Sequence, residues 1–219
     1  MRAYKTFLSI GILALCGLTA PAALAGEIQY AISVDTSSQI LNYGYIELQF
    51  NPSSMSTQAA DAMVEDFATD GILNPSDPNN DEDGDVSGTL PGIVSFDNLT
   101  SYNDYFEGIT LGDTISFDLF LSGPAIDSSN GDGGGTFTLD FVNSGITGFL
   151  FTSDPTNDVP VFTVNINPDG STTGATYPTV SNGTPVVTAF PEEVPEPSVT
   201  VLLAGGLVAI RALRRRRNA

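Results

Sequence analysis

The chain has 219 residues and a formal net charge of −19, from seven Lys and Arg against 26 Asp and Glu, with no His. Its length suits one domain once the two ends are set aside. The bases are Arg2, Lys5, Arg211, Arg214, Arg215, Arg216 and Arg217, whereas every acid falls between positions 27 and 196. A body with no cation has nothing to grip a phosphate backbone, so nucleic-acid binding is excluded. Such a body is also repelled by anionic lipid and acidic polysaccharide unless divalent cations bridge them.

Residues 1–25 read as a secretory signal peptide. Arg2 and Lys5 charge the start, residues 7–18 are apolar, and Ala23 and Ala25 supply the small-x-small cleavage pattern. The single cysteine, Cys16, lies inside this leader, and the bulky Leu15 before it argues against a lipoprotein cleavage site. The mature body therefore has no disulfide and no thiol chemistry, and its stability must come from packing.

From Glu27 onward the pattern has period two. Ile28, Tyr30, Ile32 and Val34 alternate with polar or small residues, as do Ile46, Leu48 and Phe50. The same alternation returns at Ile115, Phe117, Leu119 and Leu121, at Phe137, Leu139 and Phe141, and at Phe162, Val164 and Ile166. Ser122-Gly123-Pro124, the run 130–135 and Asn167-Pro168-Asp169-Gly170 separate these strands with turn chemistry. Residues 58–67 fit both periods, with Ala59, Met63 and Phe67 at helical spacing and Ala60, Ala62 and Val64 alternating; the reading here leans to a short helix. A last strand is expected over 180–193. The whole predicts an all-β chain, an antiparallel β-sandwich of jelly-roll type over residues 26–190.

Chemistry in the body is sparse. Without His, Cys or Lys, the serine and cysteine triads, Schiff bases and His-ligated zinc are unavailable, and no enzymatic activity is expected. Paired carboxylates, as in a glycosidase, survive only as a contrast, because 26 acids bring two together by chance. The densest acidic stretch offers oxygen ligands at alternate positions, Asn79, Asp81, Asp83 and Asp85, with Gly84 for the turn, like the first half of a calcium loop. Its second half fails, since Leu90 stands where a bidentate glutamate belongs; the competing reading is a solvated acidic turn. Tyr43, Tyr45, Tyr102, Tyr105 and Phe106 are candidate sugar platforms, although there is no Trp. A calcium-assisted module for extracellular polysaccharide is therefore the alternative to a non-enzymatic surface protein.

The end of the chain carries the sharpest signal. Val194, Pro195, Glu196 and Pro197 form a rigid extended segment within a linker over 191–198, followed by an apolar stretch over 199–213 and a basic tail over 214–219. Its most apolar part, residues 199–210, would span about 18 Å as a helix against a hydrocarbon core of about 30 Å, which suits a temporary anchor. Arg211, Arg214, Arg215, Arg216 and Arg217 close it as a membrane stop, and the positive-inside rule leaves both chain ends cytoplasmic during export. Residues 194–219 closely resemble the PEP-CTERM sorting signal of exported proteins of Gram-negative bacteria. That resemblance implies handling by the export machinery, a transient stay in the inner membrane, processing by exosortase, and a final place at the cell surface or outside it. The body is similar to a group of PEP-CTERM proteins through Asp35-Thr36-Ser37, Gly44-Tyr45, Phe50-Asn51-Pro52, Asp85-Val86-Ser87-Gly88 and Asn103-Asp104-Tyr105-Phe106, a likeness that brings no activity with it.

Overall fold

The alternating apolar rows become strands with one buried side each. In the computed structural model, which describes residues 26–53, 57–152, 159–177, 180–181 and 184–192, Tyr30, Ile32 and Val34 of β1 (Ile28–Asp35) point inward, as do Ile46, Leu48 and Phe50 of β2 (Tyr43–Asn51). β9 (Thr114–Ser122), β10 (Gly135–Asn143) and β11 (Phe162–Ile166) bury the rows expected of them. A fully buried Phe or Leu contributes about 1.5–3 kcal/mol, and the rows of both sheets merge into one hydrophobic cluster. No cysteine, and among residues 26–193 no base, is there to supplement it.

The remaining strands are β3 (Asp61–Thr69), β4 (Ile72–Asn74), β5 (Asp81–Asp83), β6 (Val86–Gly88), β7 (Val94–Asp97), β8 (Asp104–Thr110), β12 (Thr172–Thr176), β13 (Val180–Ser181), β14 (Thr184–Pro185) and β15 (Val187–Glu192). One sheet runs β15-β1-β9-β3-β7-β6 and the other β12-β11-β10-β2-β8-β4, with β5 also on the free edge of β8. All these pairings are antiparallel. The sheets face each other across the core: Phe96 of β7 meets Phe137 of β10 edge-on at 6.3 Å, and Tyr30 of β1 lies 6.2 Å from Phe162 of β11. This is an all-β, sandwich-like arrangement.

Helix is limited to one short α-helix, α1 (Pro124–Asp127), and a 3-10 turn over Ser37–Gln39, among the described residues. The helix expected over 58–67 does not form; β3 occupies most of that stretch. Ala62 and Val64 point into the core, then the register shifts between Glu65 and Ala68, where Asp66 takes a positive φ of 51° and stays exposed. That bulge turns Phe67 inward, to stack on Phe117 of β9 at 6.4 Å. The extra residue puts Val64 and Phe67, three apart as on a helix, on the same inward face, while Met63 lies on the other. The last strand over 180–193 is broken into β13, β14 and β15, the last of which pairs with β1.

The leader, residues 193–198 of the linker, the apolar stretch and the basic tail lie outside the described residues; the linker's first two residues, Pro191 and Glu192, belong to β15. Among the described residues no helix is long and apolar enough to cross a membrane.

Candidate functional site

Side chains that alternate away from the core form the outer face of the second sheet. Register places Asp81 of β5 beside Phe106 of β8, Phe106 beside Glu47 of β2, and Glu47 beside Asp140 of β10. One step along lies a parallel row, Asp83, Asp104, Gln49 and Thr138. Directly opposed residues sit about 4.5–5.5 Å apart at their β-carbons. Two like-charge pairs, Asp83 with Asp104 and Glu47 with Asp140, are thus set across neighbouring strands, and the described residues hold no base.

Protonation answers that arrangement. Burial, reinforced by the Glu47 carboxylate, pushes Asp104 up to about 7, and the same two causes push Asp140 up to about 7. Burial also raises Glu47, while side-chain hydrogen bonds with Gln49 and Asp104 pull it back. Gln49 Nε2 donates to Glu47 Oε1 at 2.8 Å and to the Tyr102 hydroxyl at 3.3 Å; the Val161 N–H donates to Asp140 Oδ1 at 3.2 Å. Asp104 Oδ1 is buried with no partner. Tyr102, 45% exposed, stands over these acids, and burial together with the charges of Asp104, Glu47, Asp83 and Asp81 pushes its hydroxyl up to about 12. The face can accept hydrogen bonds, hold cations and exchange protons near neutrality. It offers no nucleophile and base in contact.

Beside it is a closed aromatic cluster. Tyr45 stacks on Phe106 at 4.5 Å and meets Tyr43 edge-on at 5.6 Å. The Tyr43 hydroxyl donates a short hydrogen bond to Asp77, and Asn79 Nδ2 donates to the Tyr45 hydroxyl at 2.8 Å. Burial and then Asp77 push Tyr43 up to about 12, and the Tyr43 hydroxyl in turn lowers Asp77. Gly108 makes the closure feasible, because a β-carbon there would collide with the Tyr43 hydroxyl and press on Asp77.

These contacts decide which sequence candidates are available. Tyr45 and Tyr105 are buried and cannot be sugar platforms, Tyr43 and Phe106 are half-buried, and Tyr102 is the exposed one. The calcium-loop stretch is not a loop. Asp81 and Asp83 lie exposed in β5, Asn79 is tied to Tyr45 and Asp77, and the Asp85 N–H donates to Asn103 Oδ1 at 2.7 Å. Gly84 (φ 80°) turns the chain from β5 to β6. Among the described residues no three acids are grouped to hold a metal ion. Ala23, Ala25, Val194, Pro195, Glu196, Pro197, Arg211, Arg214, Arg215, Arg216 and Arg217 lie outside the described residues.

Sequence reasoning missed Glu47, Asp104 and Asp140 as a group. Alternation puts each on an outer face, but only the pairing of β2 with β8 and β10 brings them together. No protein-family model, no curated protein and no solved structure matches this chain.

Proposed function

We propose that this chain is an exported surface or extracellular-matrix protein, held briefly in the inner membrane by its C-terminal stretch and matured by exosortase, and that its body binds or builds rather than catalyses. One observation carries this reading: every Lys and Arg is confined to the two ends, around residues 26–198, which hold all 26 acids and no base. Positive charge resists translocation, so this distribution leaves both ends inside and sends the body across. Pro195-Glu196-Pro197 would then stand at the outer membrane face, where a membrane-embedded processing enzyme meets it. The non-enzymatic part rests on the same composition, since no His, Cys or Lys is present to activate a nucleophile in residues 26–193.

The strand order supports the finer description of the body as a jelly roll. Successive strands from β1 to β10 cross repeatedly between sheets, and β1, β9, β3 and β7 lie side by side against β2, β8 and β4. Such a body presents broad sheet faces, here one rich in carboxyl groups, suited to an extracellular protein that stays soluble by charge.

The test is to replace Pro195, Glu196 and Pro197 by alanine in the native host and follow the protein by fractionation and intact mass. A longer, membrane-retained form is the expected result. Maturation at an unchanged mass and rate would refute the sorting reading.

A further inference from the structure

The free edge of β8 is paired by β4 up to Asn74 and by β5 from Asp81, and between them the chain swings away over 75–80. Register puts Asn74 opposite Gly108 and Asp81 opposite Phe106, so Glu107 has no strand partner on that side. The excursion is pinned: Asn80 Oδ1 accepts from the Gly108 N–H at 2.8 Å and Asn80 Nδ2 donates to the Asn74 carbonyl at 2.9 Å. What remains at the gap is a pre-formed pocket of about 260 Å³, with Glu107 in its lining beside Tyr105, Thr89, Asp81 and Glu82.

Glu107 is 2% exposed, an uncommon place for a carboxyl on the core-facing row of a strand. Its Oε2 accepts a short hydrogen bond from the Tyr105 hydroxyl, which itself accepts from the Leu90 N–H at 2.9 Å. Among the described residues its Oε1 has no hydrogen-bond partner, and it is closed to solvent. Burial raises the Glu107 carboxyl above its ordinary value, because its charged form is left short of a donor and of a counter-charge; a ligand that brings both is favoured.

The geometry points to this pocket as a binding site for a primary alkylammonium group, which donates a hydrogen bond to Glu107 Oε1 as the carboxyl turns toward the opening, while Glu82 and Asp81 at the rim complement its charge. Three features select that chemistry. The free acceptor is a single oxygen, because Tyr105 occupies the other; a guanidinium, which grips both oxygens of a carboxylate at once, loses its advantage here. A compact ammonium with three N–H donors does not. A divalent metal ion is not favoured, since no three acids among the described residues are grouped for one. A neutral polyol would leave three carboxylates uncompensated in a chain with no base among residues 26–193.

The ammonium has two sources, a free aliphatic diamine or a lysine side chain. Calorimetric titration of the full chain with cadaverine and with Nα-acetyl-lysine amide separates them. Saturable one-site binding by either supports the pocket, and which of the two binds identifies the source. Tetramethylammonium, which carries the charge without an N–H, is expected to bind at least about tenfold more weakly. Glu107→Gln is also expected to weaken the amine by about tenfold or more, because the new amide keeps the Tyr105 bond but can turn a donor toward the ligand. Equal affinity for tetramethylammonium would reduce the effect to counterion attraction and overturn the proposal, as would unchanged affinity in Glu107→Gln or no saturation by about 10 mM of either amine. Should Glu107→Gln fail to melt cooperatively, Glu82→Gln takes its place, with about twofold to threefold weakening expected and unchanged affinity counting against the site.

Discussion

Asp104 and Asp140 show what a carboxyl does in a body without bases. Each is nearly buried on a sheet face, each lies near Glu47, and each is pushed up to about 7. An unfolded Asp titrates near 4, so between about pH 4 and 7 the folded chain holds protons that the unfolded chain has released. Their contribution to stability is therefore complete below about pH 4 and is lost as the pH rises through about 7. Asp35, Asp70, Asp77 and Asp169 are lowered by hydrogen bonds to their charged forms and act in the opposite sense, losing their contribution only on acidification below about pH 4. The melting temperature should accordingly fall between about pH 4.5 and 7.5 and level off above. Asp104→Asn combined with Asp140→Asn should flatten that decline in calorimetric melts at constant ionic strength. An equal slope in the double variant would mean that these two groups do not carry it.

At the scale of the element, β3 and the β4–β5 edge mark where sequence reading succeeds and where it stops. The strands whose two faces differ cleanly, β1, β2, β9, β10 and β11, were legible because alternation is a local property. β3 was not, because its bulge at Asp66 adds a residue and breaks the alternation, so that Val64 and Phe67 face inward three residues apart. An L-residue with φ of 51° pays about 1–2 kcal/mol that glycine avoids. Asp66→Gly should thus stabilise the fold by about 0.5–1 kcal/mol, and Asp66→Val, whose branched side chain resists that conformation, should destabilise it by more. Denaturant melts of both variants check this; a loss of stability in Asp66→Gly would mean the aspartate holds the bulge through its side chain. The acidic rows and the Glu107 pocket were illegible for another reason. Glu47, Asp104 and Asp140 are neighbours only through register across three strands, and Glu107 is a pocket residue only because residues 75–80 leave the edge opposite it open.

For the whole molecule the governing quantity is charge, which composition alone makes legible. A chain of net charge −19, whose acids have no counter-charge between positions 27 and 196, repels itself at every range that solvent permits. In a body held together by ion pairs, salt screens attraction and lowers stability; here the described body has only repulsion to screen. Raising NaCl from about 10 mM to about 1 M shortens the screening length from about 30 Å to about 3 Å. A gain of about 1–2 kcal/mol would move the midpoint of a body this size upward by about 2–8 °C. Choline chloride should reproduce the rise, because screening needs ionic strength and no particular cation. A midpoint that stays flat or falls with salt would show that protonation within the acidic rows has already neutralised the repulsion. A rise with NaCl that choline chloride fails to reproduce would locate the effect at cation sites on the acidic face instead of in the field of the whole body.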